Sequence, residues 1–347
     1  MLRSRESFTA RIALTMGDPC GVGPEILVKA LAGRERCGKC ALLLIGDPLA
    51  LIRASDLLKQ DITFQTVKDI ARFKLDDSLE SVMLYTPFPL SEEDMEYGTP
   101  SGKTCHAVIR YIECAARLAL DGNVDAICTC PVNKANLQRH SFPFPGHTEF
   151  LQELTQTRDV VMMLAGPRLR VALVTIHNAI SQVPGLINRE RIARTISITA
   201  DALRRDFGIQ KPRIAVAGLN PHAGEDGRFG NEEIDVIRPV VNSFAGSSFH
   251  LLGPLPPDTV FHRAYEGEFD AVIAMYHDQG LIPIKLVHFM DAVNITLGMP
   301  IVRTSVDHGT AYDLAGTGKA HEGSLLAAIR CAAAIAENRL KVACAPR

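Results

Sequence analysis

Short apolar runs alternate with longer amphipathic segments from one end of this chain to the other, and that alternation leaves few folds open. Runs such as Ala41–Ile45 and Val171–Ile176 have the length of buried strands, while the segments between them carry helical periodicity. Strand–helix–strand units of this kind build a mainly parallel sheet covered by helices, an α/β architecture. Strands are expected at Ile12–Met16, Ala41–Ile45, Ser81–Tyr85, Ala126–Thr129, Val160–Leu164, Val171–Ile176, Ile214–Gly218 and Ala271–Met275. Ser101 caps a helix reaching about Leu120, with Val108, Ile109, Ile112, Ala115, Ala116 and Ala119 on one stripe. Asn188 precedes a helix over Arg189–Phe207 that Gly208 stops, Asn231 opens another, and Glu322–Leu340 is the last. No internal repeat, low-complexity stretch or Gly/Ser linker divides the 347 residues, whose number suits two domains or one large α/β unit.

Composition narrows the function classes. With 47% hydrophobic and 22% charged residues the chain is of ordinary globular type, able to bury a core without disulfides. A formal net charge of −2 without a basic block gives no reason to expect a nucleic-acid or membrane surface. Residues 1–11 lack the apolar core of a signal peptide, and no apolar run approaches a membrane span. The nine cysteines, an odd number, lie among apolar residues as buried thiols would in a reducing compartment, so the cytoplasm is expected. Cys37-Gly-Lys-Cys40 has the spacing of a redox or zinc pair but stands alone, which favours a structural role.

Three histidines follow strand-like runs: His177 after Val171–Ile176, His222 after Ile214–Pro221, and His277 after Ala271–Tyr276. Ligands of open α/β sheets bind beyond the carboxyl ends of the strands, so three such imidazoles can converge and hold a divalent cation. Asp278, beside His277, can orient a ligand, bind the metal or act as a base; Asp258 is a second candidate carboxylate. The stretch Met16-Gly-Asp-Pro-Cys-Gly-Val-Gly-Pro-Glu25 is a glycine-rich strand-to-helix turn that either holds an anion or is purely structural. It is not a Rossmann fingerprint, and none occurs elsewhere. Pro131-Val-Asn-Lys134 and Pro145-Gly-His147-Thr148-Glu149 offer a lysine, an imidazole and a hydroxyl to a phosphate or carboxylate, or simply start helices. Lys285, Asn294 and Arg303 have the character of an anion clamp in an apolar region. The glycine-punctuated loop Asp307–Ala320 is of a kind that wraps a nucleotide.

Together these motifs, in order over residues 12 to about 320, resemble the 4-hydroxythreonine-4-phosphate dehydrogenase family of pyridoxal-phosphate biosynthesis. The resemblance implies a fold like isocitrate and isopropylmalate dehydrogenases: two α/β/α domains with the active site in the cleft between them. Residues 1–130 with 300–347 are expected in the first domain, and 131–299, with the metal ligands and the dimer interface, in the second. The resemblance also implies a homodimer whose site draws on both subunits, and one divalent metal per site (zinc, magnesium or cobalt) on His177, His222 and His277. His147, Thr148, Lys285, Asn294 and Arg303 match substrate-binding positions; Asp307, His308, Gly309, Thr310, Asp313 and Gly316 lie in the loop for NAD or NADP. The implied reaction oxidises 4-phosphooxy-L-threonine to 2-amino-3-oxo-4-phosphooxybutanoate, which loses CO₂ to give 3-amino-2-oxopropyl phosphate. Asp278, Lys285 and Asp258 are the candidate catalytic groups. One stretch departs from the pattern: Asn178-Ala179-Ile180 follows His177 where the family commonly has a Leu-Pro-Leu-like sequence. That leaves room for the paralogous substrates 4-phospho-D-threonate and 4-phospho-D-erythronate.

Overall fold

A computed structural model describes residues 8–70, 82–140, 142–144 and 146–344. The chain forms two compact units, Met1–Arg158 with Met299–Arg347, and Asp159–Gly298. The return to the first unit falls beside the expected position 300, whereas the first break comes after Arg158 rather than after position 130. The helices that follow position 130 pack on the long helix of the first unit, and so belong to it.

The first unit holds strands β1 (Ala10–Thr15), β2 (Cys40–Ile45), β3 (Phe64–Thr66), β4 (Val82–Tyr85) and β5 (Ala126–Thr129). Its helices are α1 (Gly23–Ala32), α2 (Pro48–Leu58), α3 (Gly102–Leu120), α4 (Lys134–Arg139) and α5 (His147–Thr155). The second unit holds β6 (Val161–Ala165), β7 (Arg170–Leu173), β8 (Arg213–Ala217), β9 (His250–Leu255), β10 (Ala271–Ala274) and β11 (Val293–Leu297). Its helices are α6 (Val183–Leu186), α7 (Arg189–Arg205), α8 (Arg238–Ser243), α9 (Pro257–Tyr265) and α10 (His277–His288). Strand β12 (Arg303–Val306) and helix α11 (Gly323–Ala343) return to the first unit.

In the first unit the strand order is β3-β4-β2-β1-β5-β12, parallel throughout. Every residue of β2 is buried, which is why a continuous apolar run rather than an alternating one marks it. Helix α3 starts where Ser101 predicts: its hydroxyl accepts from Thr104 N, and Ser101 N donates to Thr104 Oγ1 at 2.8 Å. Val108, Ile112, Ala115 and Ala116 face the core with Tyr111, while Ile109 and Ala119 are only half-buried.

In the second unit the order is β11-β6-β7-β10-β8-β9. β7, β10, β8 and β9 run parallel, and β6 is antiparallel to both of its neighbours. The core gathers Val171, Leu173, Ala215, Val272 and Ala274 from the strands with Val260, Phe261, Leu281 and Ile284 from α9 and α10.

Four strands lie outside the sequence expectation. β12 is buried but reads Arg-Thr-Ser-Val, with polar partners from segments distant in sequence, as when Thr304 Oγ1 donates to Ala328 O at 3.0 Å. β9 contains Gly253-Pro254, tolerated because it is an edge strand. β3 is a three-residue edge, and β11 alternates Val-Asn-Ile-Thr-Leu. The helix expected from Asn231 begins instead as a π-type turn over Glu233–Ile237 before α8. All nine cysteines are free thiols. Among the described residues no helix is long and apolar enough to cross a membrane.

Candidate active site

In the second unit the register of β7, β10 and β8 decides where the histidines go. Val272 pairs with Val171 and Ala274 with Leu173, and the ladder continues as Val174 N and Thr175 N donate to Ala274 O and Met275 O. His177 and His277 each follow within a few residues, and their ring centroids are 5.8 Å apart. His277 is the first residue of α10, and its Nδ1 lies 2.6 Å from Asp278 Oδ1. That contact engages Nδ1 and leaves Nε2 as the ring nitrogen that could hold a cation, as carboxylates do for metal-binding histidines. His222 Nδ1 stands 3.9 Å from Asp258 Oδ2 in the first turn of α9, and its side chain is 62% exposed. Among the described residues, no three His, Cys, Asp or Glu side chains come together as a metal-holding group. Within one chain, His177 and His277 approach each other, and His222 does not form a three-donor group with them among the described residues. Lys285 is half-buried, eight residues along α10 from His277, or about 12 Å of helix axis. Asn294 is half-buried in β11.

His222 sits on an unusual backbone. Residues 222–227 all have positive φ: His222 53°, Ala223 55°, Gly224 83°, Glu225 45°, Asp226 54° and Gly227 91°. Each non-glycine residue in that left-handed region costs about 1 kcal/mol or more, and runs of them are rare. Gln279, which the sequence did not single out, ties the root of this arm to β10. Its Oε1 accepts from Met275 N and its Nε2 donates to Gly218 O, both at 2.7 Å.

The first unit places a buried guanidinium and a buried imidazole near the exposed Lys134. Asn133 caps α4 by accepting from Asn136 N, and Lys134 begins that helix. Its stem lies over Gly146, where an added Cβ would meet Lys134 Cε at 2.9 Å. Gly146 leads into α5, whose first residue, His147, is 8% exposed and has no hydrogen-bond partner for Nε2 among the described residues. Burial holds the His147 pKa well below the ordinary histidine value, and the Arg303 and Lys134 charges lower it further, so the ring is neutral. Arg303, on β12, is 3% exposed and donates from Nη2 to Thr129 Oγ1 at 3.1 Å. Burial pulls its pKa down to about 10, with Cys128 and Glu149 pulling the other way. A buried guanidinium, an unpartnered imidazole and a helix N-terminus together suit an anion. Thr148 is half-buried beside His147.

The two glycine-rich loops of this unit clasp each other. Gly21 N donates to Asp18 O, Cys20 N to Asp18 Oδ1, and Val22 N to Thr310 O. These N–H groups are already used, so the turn over residues 16–25 is a structural clasp rather than an anion cradle. Buried Glu25 accepts from Gly316 N at 2.6 Å and Gly318 N at 2.9 Å, and Lys29 Nζ donates to Gly318 O and Ala320 O. Tyr312 OH donates to Asp18 Oδ2 at 2.5 Å and accepts from Asn136 Nδ2 at 3.0 Å. Burial raises the Asp18 pKa although Tyr312 and Cys20 N oppose it. Of the expected nucleotide residues, Thr310 and Gly316 anchor the loop, Asp307 N donates to Ser324 Oγ, and His308, Gly309 and Asp313 are exposed. The Cys37–Cys40 pair is buried, and desolvation raises both thiol pKa values, Cys40 to about 12, which suits packing rather than redox work.

Residues 38–332 match the family model of the pyridoxal phosphate biosynthetic protein PdxA. The chain is 50% identical over 327 residues to a 4-hydroxythreonine-4-phosphate dehydrogenase of Geobacter metallireducens, covering 94% of this chain and 95% of that one. It is 43% identical over 329 residues to a protein of Oceanobacillus iheyensis provisionally named a D-threonate 4-phosphate dehydrogenase, covering 94% and 98% of the two. The crystal structure of a 4-hydroxythreonine-4-phosphate dehydrogenase from Klebsiella pneumoniae matches with a TM-score of 0.84 at 41% identity, covering 96% of this chain and 99% of that one.

Proposed function

The chain belongs to the pyridoxal phosphate biosynthetic protein PdxA family and is an oxidoreductase, and from that premise we propose that it oxidises 4-phosphooxy-L-threonine with NAD⁺ or NADP⁺. The 3-oxo product, 2-amino-3-oxo-4-phosphooxybutanoate, then loses CO₂ to give 3-amino-2-oxopropyl phosphate. The observation that carries this reading is buried Arg303 and buried His147 with exposed Lys134 near them: their charge, and a His147 Nε2 without a hydrogen-bond partner among the described residues, suit an anionic, phosphorylated substrate. Thr148 adds a hydroxyl beside His147, and Lys285 and Asn294, half-buried in the second unit, are that unit's own candidate substrate groups. The loop Asp307–Lys319, anchored at Glu25 and Lys29 with His308, Gly309 and Asp313 exposed, suits the nucleotide.

The histidine donors also fit a divalent cation such as Zn²⁺, Mg²⁺ or Co²⁺, since Asp278 already turns His277 to present Nε2. His177, His222 and His277 would hold it, and when bound it supplies Lewis acidity to the substrate oxygens. Asp278 is committed to orienting His277, which leaves Lys285 and Asp258 as the groups to take the alcohol proton.

The histidine set is completed, in this reading, by a second copy of the chain. Helix α10, which begins at His277, leaves Ile282, Leu286 and Phe289 66%, 84% and 73% exposed on one stripe. An apolar stripe of this size beside an incomplete ligand set supports a homodimer interface there.

Reduced-nicotinamide absorbance tests the function. Folded, metal-loaded protein is given either nucleotide and, in turn, 4-phosphooxy-L-threonine, 4-phospho-D-threonate and 4-phospho-D-erythronate. Fastest reduction with the aminated substrate is expected. No reduction with any of the three overturns the dehydrogenase reading, while fastest turnover of 4-phospho-D-threonate assigns the chain the activity named for the Oceanobacillus relative.

A further inference from the structure

The left-handed arm that carries His222 needs something to hold it, and the fold supplies a buried carboxylate. Glu233 is 1% exposed, in the π-type turn that precedes α8. Its Oε1 accepts from Leu219 N at 2.7 Å and Asn220 N at 2.8 Å, and its Oε2 accepts from Asn220 Nδ2 at 2.9 Å. Asn220 Nδ2 also donates to Glu232 Oε2 at 2.7 Å. The residues that receive this carboxylate immediately precede Pro221 and His222. The socket around it is made by glycines: a Cβ at Gly224 would stand 2.7 Å from Glu233 Oε2, and one at Gly218 would stand 3.0 Å from Oε1. A run of positive φ angles persists only where its surroundings over-determine it, and π-type turns occur often at functional sites. Here a buried acceptor grips the root of the arm while the imidazole at its tip stays exposed.

We propose that Glu233 is a positioning residue: by holding Leu219 and Asn220 it fixes the left-handed arm so that His222 is presented to a divalent cation. This rests on the reading that His222 is a metal ligand. Glu233 reaches the metal only through backbone, so the position of its oxygen matters more than its charge. Glutamine keeps a carbonyl oxygen where Oε1 accepts both backbone N–H groups and loses only the Oε2 acceptor for Asn220 Nδ2, whose amide still donates to Glu232 Oε2. Aspartate keeps the charge but withdraws the carboxylate by one methylene.

The test is Co²⁺ binding to the full-length protein, read by calorimetry and by visible cobalt absorbance, with stability measured alongside. Glu233→Ala and Glu233→Asp are expected to weaken Co²⁺ binding about 10- to 100-fold, the usual cost of losing an outer-shell partner. Glu233→Gln is expected to stay within about threefold of wild type, its carbonyl keeping the two backbone bonds. A purely structural role predicts lower thermal midpoints but unchanged Co²⁺ affinity in the folded variants, and that result overturns the proposal. Equal loss in Glu233→Gln and Glu233→Ala also overturns it. Should Glu233→Ala not fold, the Asp and Gln variants carry the same contrast. His222→Ala, run in parallel, separates the two readings. If it binds Co²⁺ like wild type, the metal assignment fails and the positioning role with it. If it loses Co²⁺ while Glu233→Asp and Glu233→Ala do not, only the positioning role fails.

Discussion

The two units make their chemistry in opposite ways. The cationic group of the first unit is assembled within one chain: β12 and α5 bury Arg303 and His147, and α4 holds the exposed Lys134 near them. The histidine face of the second unit is open, with His222 and Asp278 largely exposed and, among the described residues, no three donors gathered. Buried Arg303 keeps its charge at a desolvation cost that an anion would offset, which suits one substrate class. In the reading proposed above, a cation and a second copy would complete the open set of candidate ligands, and assembly would then govern activity.

The largest effect is expected where the site is already complete. Arg303→Met should cut kcat/KM for the phosphorylated substrate about a thousandfold, or about 4 kcal/mol, since a charge-assisted contact is lost at a buried side chain. A loss of less than about tenfold, in steady-state kinetics, removes Arg303 from substrate binding. On the open side, Leu286→Asp with Phe289→Asp should convert the protein to monomer in sedimentation and abolish activity while the chain stays folded. Monomers that retain full activity would break the contrast between the units.

The smallest effect is a pH dependence confined to the first unit. The unfolded chain protonates His147 near the ordinary value of about 6.5, whereas burial lets the folded chain resist protonation. Stability from this group is therefore full above that value and falls as the pH drops below it. The slope is at most about 1.4 kcal/mol per unit and ends at the lower folded pKa. Denaturant titrations of the ligand-free protein at several pH values should show this slope, and His147→Gln should remove it.

Much of this was legible in the sequence, for physical reasons that also explain the gaps. β2 announced itself because a strand buried on both faces is a run of apolar residues. β12 did not, because Arg303, Thr304 and Ser305 are buried polar residues whose partners come from distant segments. Strand ends pointed to His177 and His277, and the register brings them together. Glu233 and Gln279 gave no signal, since each acts through hydrogen bonds to backbone that only the fold brings near. The glycines at positions 17–23 were visible, but their purpose was not. A Cβ at Gly23 would meet Met16 O at 2.2 Å and one at Gly17 would meet Pro131 O at 2.4 Å, so they serve close packing rather than an anion.

The central claim, that the open histidine face is completed by a second copy, is tested most directly by complementation. His222→Ala and His277→Ala should each be inactive alone. Co-expressed and assembled together, random pairing makes about half the dimers mixed, each with one intact and one doubly altered site. Activity returning to about a quarter of wild type is the result predicted. A mixture as inactive as either parent, despite mixed dimers shown by native mass spectrometry, would contradict a site shared between two copies.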